Sequence, residues 1–116
     1  MASGKSSRAK GVAGERESAD VFRRYGFEVV RLQNNVLDAG DYTAAPFWWS
    51  DEPQAPSALL VDAKRRERID LRAACRQIEA VAANGQLPVV VWRSNREPWR
   101  ISGRLEDFAR LLGNDA

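Results

Sequence analysis

Residues 58–61, Ala-Leu-Leu-Val, are four apolar positions in a row, and they run straight into Asp62, Ala63, Lys64 and the basic cluster Arg65-Arg66-Glu67-Arg68. A strand that is apolar at consecutive positions has no wet face, so it belongs inside a sheet covered on both sides. Two segments can cover it. "GVAGERESADVFRRY" (11–25) places Val12, Ala19, Phe22 and Tyr25 at helical spacing, and "LRAACRQIEAVAANG" (71–85) does the same with Leu71, Ala74, Cys75, Ile78 and Ala82. Gly26 is the expected stop of the first helix; Asp70 is the expected N-cap of the second and Gly85 its stop.

The remaining apolar segments read as strands: "FEVVRL" (27–32), "DYTAAPF" (41–47), "ALLVDAKRR" (58–66), "QLPVVVWRS" (86–94) and "WRISG" (99–103). "QNNVLDAG" and "NREP" are turn material, and "WWSDEPQAPS" (48–57) is a loop at the long tip of a hairpin between the second and third strands. A short helix, "RLEDFARLLG", closes the chain. The order α-β-β-β-α-β-β-α predicts an α/β domain in which helices flank a mixed β-sheet. With 116 residues the chain builds one core. The expected organisation is a flexible basic arm at 1–10 and a single domain at 11–113.

Histidine is absent and Cys75 is the one cysteine. That argues against a structural zinc site, an internal disulfide, and Ser–His or Cys–His nucleophilic catalysis. A metal in this chain would be held by oxygen ligands, which favours Mg²⁺ or Mn²⁺. Catalysis would run on carboxylates, lysine and water. The N-terminal segment has no apolar core of the secretory type and no stretch approaches a membrane span, so an intracellular, cytoplasmic protein is expected. The formal net charge of +2 says little, but its distribution says more. All basic residues except Lys5, Lys10 and Lys64 are arginine, concentrated in residues 1–34 and 62–76. Clustered arginine suits phosphate, because its planar fork donates paired hydrogen bonds; a solvated surface is the plainer reading.

Three acids stand out. On the first helix Glu15 falls about 20° from Phe22 at 100° per residue, inside the apolar stripe, whereas Glu17, Asp20, Arg23 and Arg24 lie off it. A glutamate there must be satisfied by a cation, a metal or hydrogen bonds; an ion pair with Arg16 or Arg31 is the plain alternative. Asp62 continues a buried strand and shares a face with Lys64, as alternate residues do; the plain alternative is a strand end emerging into solvent. Asp41 opens the strand expected to pair with 58–66, which brings it toward Asp62. Asp38 is its rival, though in "DAG" it reads as a turn aspartate capping its own backbone.

"KGVAGERE", "YGFEVVR", "GDYTA" and "VDAK", in that order, resemble the PD-(D/E)xK nuclease superfamily, and within it the archaeal-type Holliday-junction resolvases, over roughly residues 10–100. The resemblance implies a restriction-endonuclease-like fold and a Mg²⁺-dependent endonuclease acting on four-way or other branched DNA as a homodimer. It implies Glu15, Asp41 and Asp62 as metal ligands and Lys64 as the catalytic lysine. Lys10 belongs to the opening motif, and Arg16 and Arg31 match basic positions near the DNA backbone; Arg65, Arg66 and Arg68 would add phosphate contacts with strongly salt-dependent binding. The sequence departs from the pattern at Gly40, where the family name has proline, and in the long Asp41–Asp62 interval. It also lacks the Q-xxx-Y motif of the RecB-like branch, since Val81 follows Gln77. A nuclease for forks, flaps or duplex, and a non-catalytic nucleic-acid-binding module, are the competing readings. Trp48 and Trp49 are expected in a dimer interface or the core, with stacking on unpaired bases as the rival; Trp92, Trp99 and Cys75 are expected in the core.

Overall fold

The computed structural model describes residues 3–32 and 40–113, with side chains from Val12 onward. Its elements are α1 (Ser3–Arg24), β1 (Phe27–Arg31), β2 (Tyr42–Pro46), a 3-10 helix (Phe47–Asp51), β3 (Ala58–Arg65), α2 (Leu71–Val81), β4 (Gln86–Arg93), β5 (Arg100–Ser102) and α3 (Leu105–Leu112). The order is the one the periodicities predict. One five-stranded sheet runs β1-β2-β3-β4-β5 in space. Every neighbouring pair is antiparallel except β3 and β4, which are parallel and joined by the α2 crossover.

The apolar run in β3 divides between the two faces. Leu59 and Val61 join Ala19, Tyr42, Ala44, Val89 and Val91 in the core under α1. Leu60 joins Ala74, Ile78 and Val90 in the core under α2. By the same alternation Asp62 and Lys64 project on the α2 side and Ala63 and Arg65 on the α1 side. Tyr42 locks α1 to the sheet: its hydroxyl donates to Ser18 Oγ at 2.9 Å, and Ser18 Oγ donates to the Gly14 carbonyl at 2.9 Å. Phe22 packs edge-on to Tyr42, with ring centroids 6.1 Å apart.

Three local expectations change. α1 begins at Ser3, so residues 3–10, expected as an arm, continue the helix; this stretch has almost no apolar residues, and periodicity cannot register it. α2 is capped as expected at Asp70, whose side chain accepts from the Ala73 N–H at 3.1 Å, but it ends at Val81, with Ala82 as its C-cap. Gly85, at φ +89°, instead turns the chain into β4, where Gln86 N–H donates to the Ala83 carbonyl. The tryptophan pair divides in burial although the two indoles stay in edge-to-face contact, with ring centroids 6.0 Å apart. Trp49 is buried, whereas Trp48 is 59% exposed beside the exposed Phe47.

Gly40 explains its own departure from proline. Its φ is +90°, a left-handed conformation that proline's ring excludes and that side chains disfavour. An added Cβ would also stand 3.3 Å from Leu60 Cδ1. Gly40→Ala is expected to cost about 1–2 kcal/mol, measured as a lower urea midpoint with unchanged slope.

Candidate active site

β2 runs antiparallel to β3 with Tyr42 opposite Val61, so Asp41, the residue just before β2, arrives beside Asp62. Two hydrogen bonds fix it there: the Asp41 N–H donates to the Val61 carbonyl at 2.7 Å, and Asp41 Oδ2 accepts from the Ala63 N–H at 2.7 Å. The carboxylate thus belongs to the β2–β3 junction rather than to a free turn. Asp38 lies outside the described residues.

Asp62 is 2% exposed, not emerging into solvent. Its Oδ2 is buried and makes no hydrogen bond, although Lys64 Nζ lies 3.4 Å away as an ion pair. Burial lifts the Asp62 carboxyl to a pKa of about 6; Lys64 opposes the rise, and Asp41 adds to it as a charge and as a hydrogen-bonding neighbour. Glu15 reaches the same place from α1. Its Oε2 pairs with Arg31 Nε at 3.3 Å, and its pKa is raised, first by burial and then by Asp41, with Arg31 pulling the other way. The ion pair with Arg31 and the approach to Asp41 therefore coexist.

Glu15, Asp41, Asp62 and Lys64 are gathered at one end of the sheet. The acids form a chain, with Asp41 between Glu15 and Asp62, and among the described residues no three His, Cys, Asp or Glu side chains already close around one point. The arrangement does fit a hard divalent cation. Its donors are carboxylate oxygens, one of them buried without a hydrogen bond, and the carboxyls of Glu15 and Asp62 are held above their ordinary pKa values by burial first and by the neighbouring Asp41 besides.

The expected basic residues fall in three places. Arg16 and Arg31 line a cavity of about 140 Å³ between α1 and the β1–β2 ribbon, together with Glu15, Arg23 and Tyr42. Arg65 projects toward α1 and is held by Glu17 Oε1 at 3.4 Å, while Arg66 and Arg68 are exposed after β3. Lys10 is on α1, and its side chain is outside the description. Sequence reasoning missed Arg93. The parallel register puts it opposite Arg65, and Glu17 Oε2 holds it at 3.4 Å, so one glutamate pins two arginines near the site. Contacts across such sequence separations leave no local signal. Cys75 is half-buried on the α2 core, its pKa raised by burial, then by Glu79 and Asp62. Trp92 and Trp99 are likewise half-buried, each packed against a core cluster.

No family model matches the sequence, and no curated protein is detectably similar to it. Among described residues no helix is long and apolar enough to cross a membrane. A solved structure of Archaeoglobus fulgidus Hjc, a Holliday junction resolvase from an archaeal hyperthermophile, does match, at 19% identity and a TM-score of 0.59 over 81% of this chain and 72% of that one. The mixed five-stranded sheet with helices on both faces is an α/β fold similar to that of the Hjc structure.

Proposed function

We propose that the chain is a metal-dependent endonuclease that hydrolyses phosphodiester bonds in branched DNA, with the four-way Holliday junction as its preferred substrate. The observation that carries this reading is Asp62, a nearly inaccessible carboxylate whose Oδ2 makes no hydrogen bond and faces Lys64 at 3.4 Å, beside Asp41, in a fold similar to that of a resolvase. A protein that only bound nucleic acid would gain nothing by burying negative charge where phosphates must approach.

Asp41 and Asp62 would hold Mg²⁺ or Mn²⁺, with Glu15 supporting the site through Asp41. The ion, when bound, neutralises phosphate charge and makes a water more acidic. The chain's own groups do the rest. Lys64, 17% exposed at its side chain and ion-paired with Asp62, would donate a hydrogen bond to the attacking water or to a phosphate oxygen as negative charge builds there. Arg16, Arg31, Arg65, Arg66, Arg68 and Lys10 would fix the backbone of the bound strands, which positions DNA without reading its sequence. A junction must be cut in two strands related by two-fold symmetry, and a homodimer supplies two sites with that relation.

The deciding experiment compares a labelled four-way junction, a fork and a matched duplex, each with Mg²⁺ or EDTA. Paired symmetric nicks on the junction, lost in EDTA, are the expected result. Equal cutting of all three would leave a general nuclease, and cutting that persists in EDTA would overturn the metal reading.

The raised pKa of Asp62 sets a pH dependence. The ionised carboxylate binds the cation, so protons compete with metal below about pH 6. At sub-saturating Mg²⁺ the cleavage rate is expected to climb up to about tenfold per pH unit below 6 and to level off above it. A pH–rate profile that stays flat down to pH 5 would contradict this.

A further inference from the structure

Beside Lys64 lies a cavity of about 230 Å³, lined by Glu67, Ile69, Leu71, Trp92 and Ser94. Trp92 is the register partner of Lys64 on the adjacent parallel strand, so the two side chains leave the same face of the sheet about 4.8 Å apart at the backbone. The indole is fixed: its Nε1 donates to Ser102 Oγ at 3.0 Å, and the Arg100 guanidinium lies over one face of the ring, 5.8 Å from its centroid, so a base would use the other face or displace Arg100. Ile69, Leu71 and Trp92 are each only half-buried. Glu67 is held at the rim, where its Oε1 accepts from the Asn95 N–H at 3.0 Å.

We propose that this cavity takes one unpaired nucleobase of the strand being cut, stacked on Trp92 within a nucleotide's reach of the phosphate at Asp62 and Lys64. The inference rests on the nuclease reading and gives that site a substrate feature, a melted nucleotide at the branch. A mixed lining that includes an indole, two aliphatic side chains and polar groups suits a base, because every base has a stacking face and polar edges; a base inside a duplex has that face covered. The Glu67 carboxylate would accept a hydrogen bond from a base's exocyclic amine or ring N–H, which each of the four bases offers. Arg66 and Arg68, exposed on either side of Glu67, offset its charge for an approaching backbone.

The test uses a forked DNA with one 2-aminopurine placed in turn at each unpaired position next to the branch, and a fully paired duplex as control, all in EDTA. Wild-type protein is expected to quench the probe at one placement in the fork and at none in the duplex. Trp92→Leu, which keeps an apolar side chain, is expected to lose the quench and bind the fork roughly 5- to 100-fold more weakly, with duplex affinity unchanged. If Trp92→Leu fails to fold by circular dichroism, Ile69→Phe, which fills the cavity from the loop, decides with the same expected loss. No quench in wild type, or an unchanged quench in the folded variants, overturns the proposal. Because the signal is read in EDTA, the two readings fail separately. Mg²⁺-dependent cleavage without any quench sinks the cavity alone, whereas a quench without cleavage sinks the nuclease reading and leaves base binding standing.

Discussion

Asp62→Asn is expected to reduce cleavage by about 1,000-fold or more while DNA affinity holds or rises, since a negative charge near the phosphates is gone. The same variant is expected to be more stable than wild type at pH 7.5 without metal. The folded-state pKa of Asp62, about 6, lies above its ordinary value of 3.8. Its protonated form therefore favours folding at low pH; that advantage fades as pH rises through the interval between the two values, and above about 6 the buried carboxylate must be carried ionised. Two pH units correspond to roughly 3 kcal/mol, an upper bound on what the neutral amide recovers. Thermal melts in EDTA should show the variant several degrees higher at pH 7.5 and level with wild type near pH 4. Adding Mg²⁺ should raise the wild type and not the variant. Loss of stability in Asp62→Asn, or full activity, would assign Asp62 a purely structural role.

What was legible follows from the range of each signal. Element order came from apolar periodicity, which is local, and the Asp70 cap and the Gly26 stop came from single residues with strong backbone preferences. Glu15 and Asp62 were visible because each is a charge where the pattern calls for an apolar side chain. The beginning of α1 was not visible, since a Ser-, Lys- and Arg-rich stretch has no stripe to count. The Trp48–Trp49 pair was ambiguous for a different reason. Adjacent residues in a loop share no predictable face, and only the 3-10 turn decides that one indole is core and its neighbour surface. The Glu17 contacts with Arg65 and Arg93, and the cavity beside Trp92, depend on the parallel register of β3 and β4, a tertiary fact that no window of sequence encodes.

Asp41→Asn separates the two tasks that Asp41 combines. Its Oδ2 accepts from the Ala63 N–H, and an amide can present a carbonyl oxygen to the same donor, so the β2–β3 junction should persist with little change in stability. Cleavage should nevertheless fall by about 1,000-fold, because an amide is a poor substitute for a carboxylate toward a divalent cation. Asp41→Ala should lose the same activity and also about 1–3 kcal/mol of stability, since the Ala63 N–H is left without its acceptor. Asp38→Asn should stay within about twofold of wild type. The opposite pattern, with Asp38→Asn inactive and Asp41→Asn active, would move the second ligand to Asp38 and leave Asp41 as a strand clamp. The charge of Asp41 also raises the pKa of both Glu15 and Asp62. Any residual activity of Asp41→Asn should therefore show its pH midpoint moved below 6, a shift that follows from the three acids sharing one field and that loss of the clamp alone would not produce.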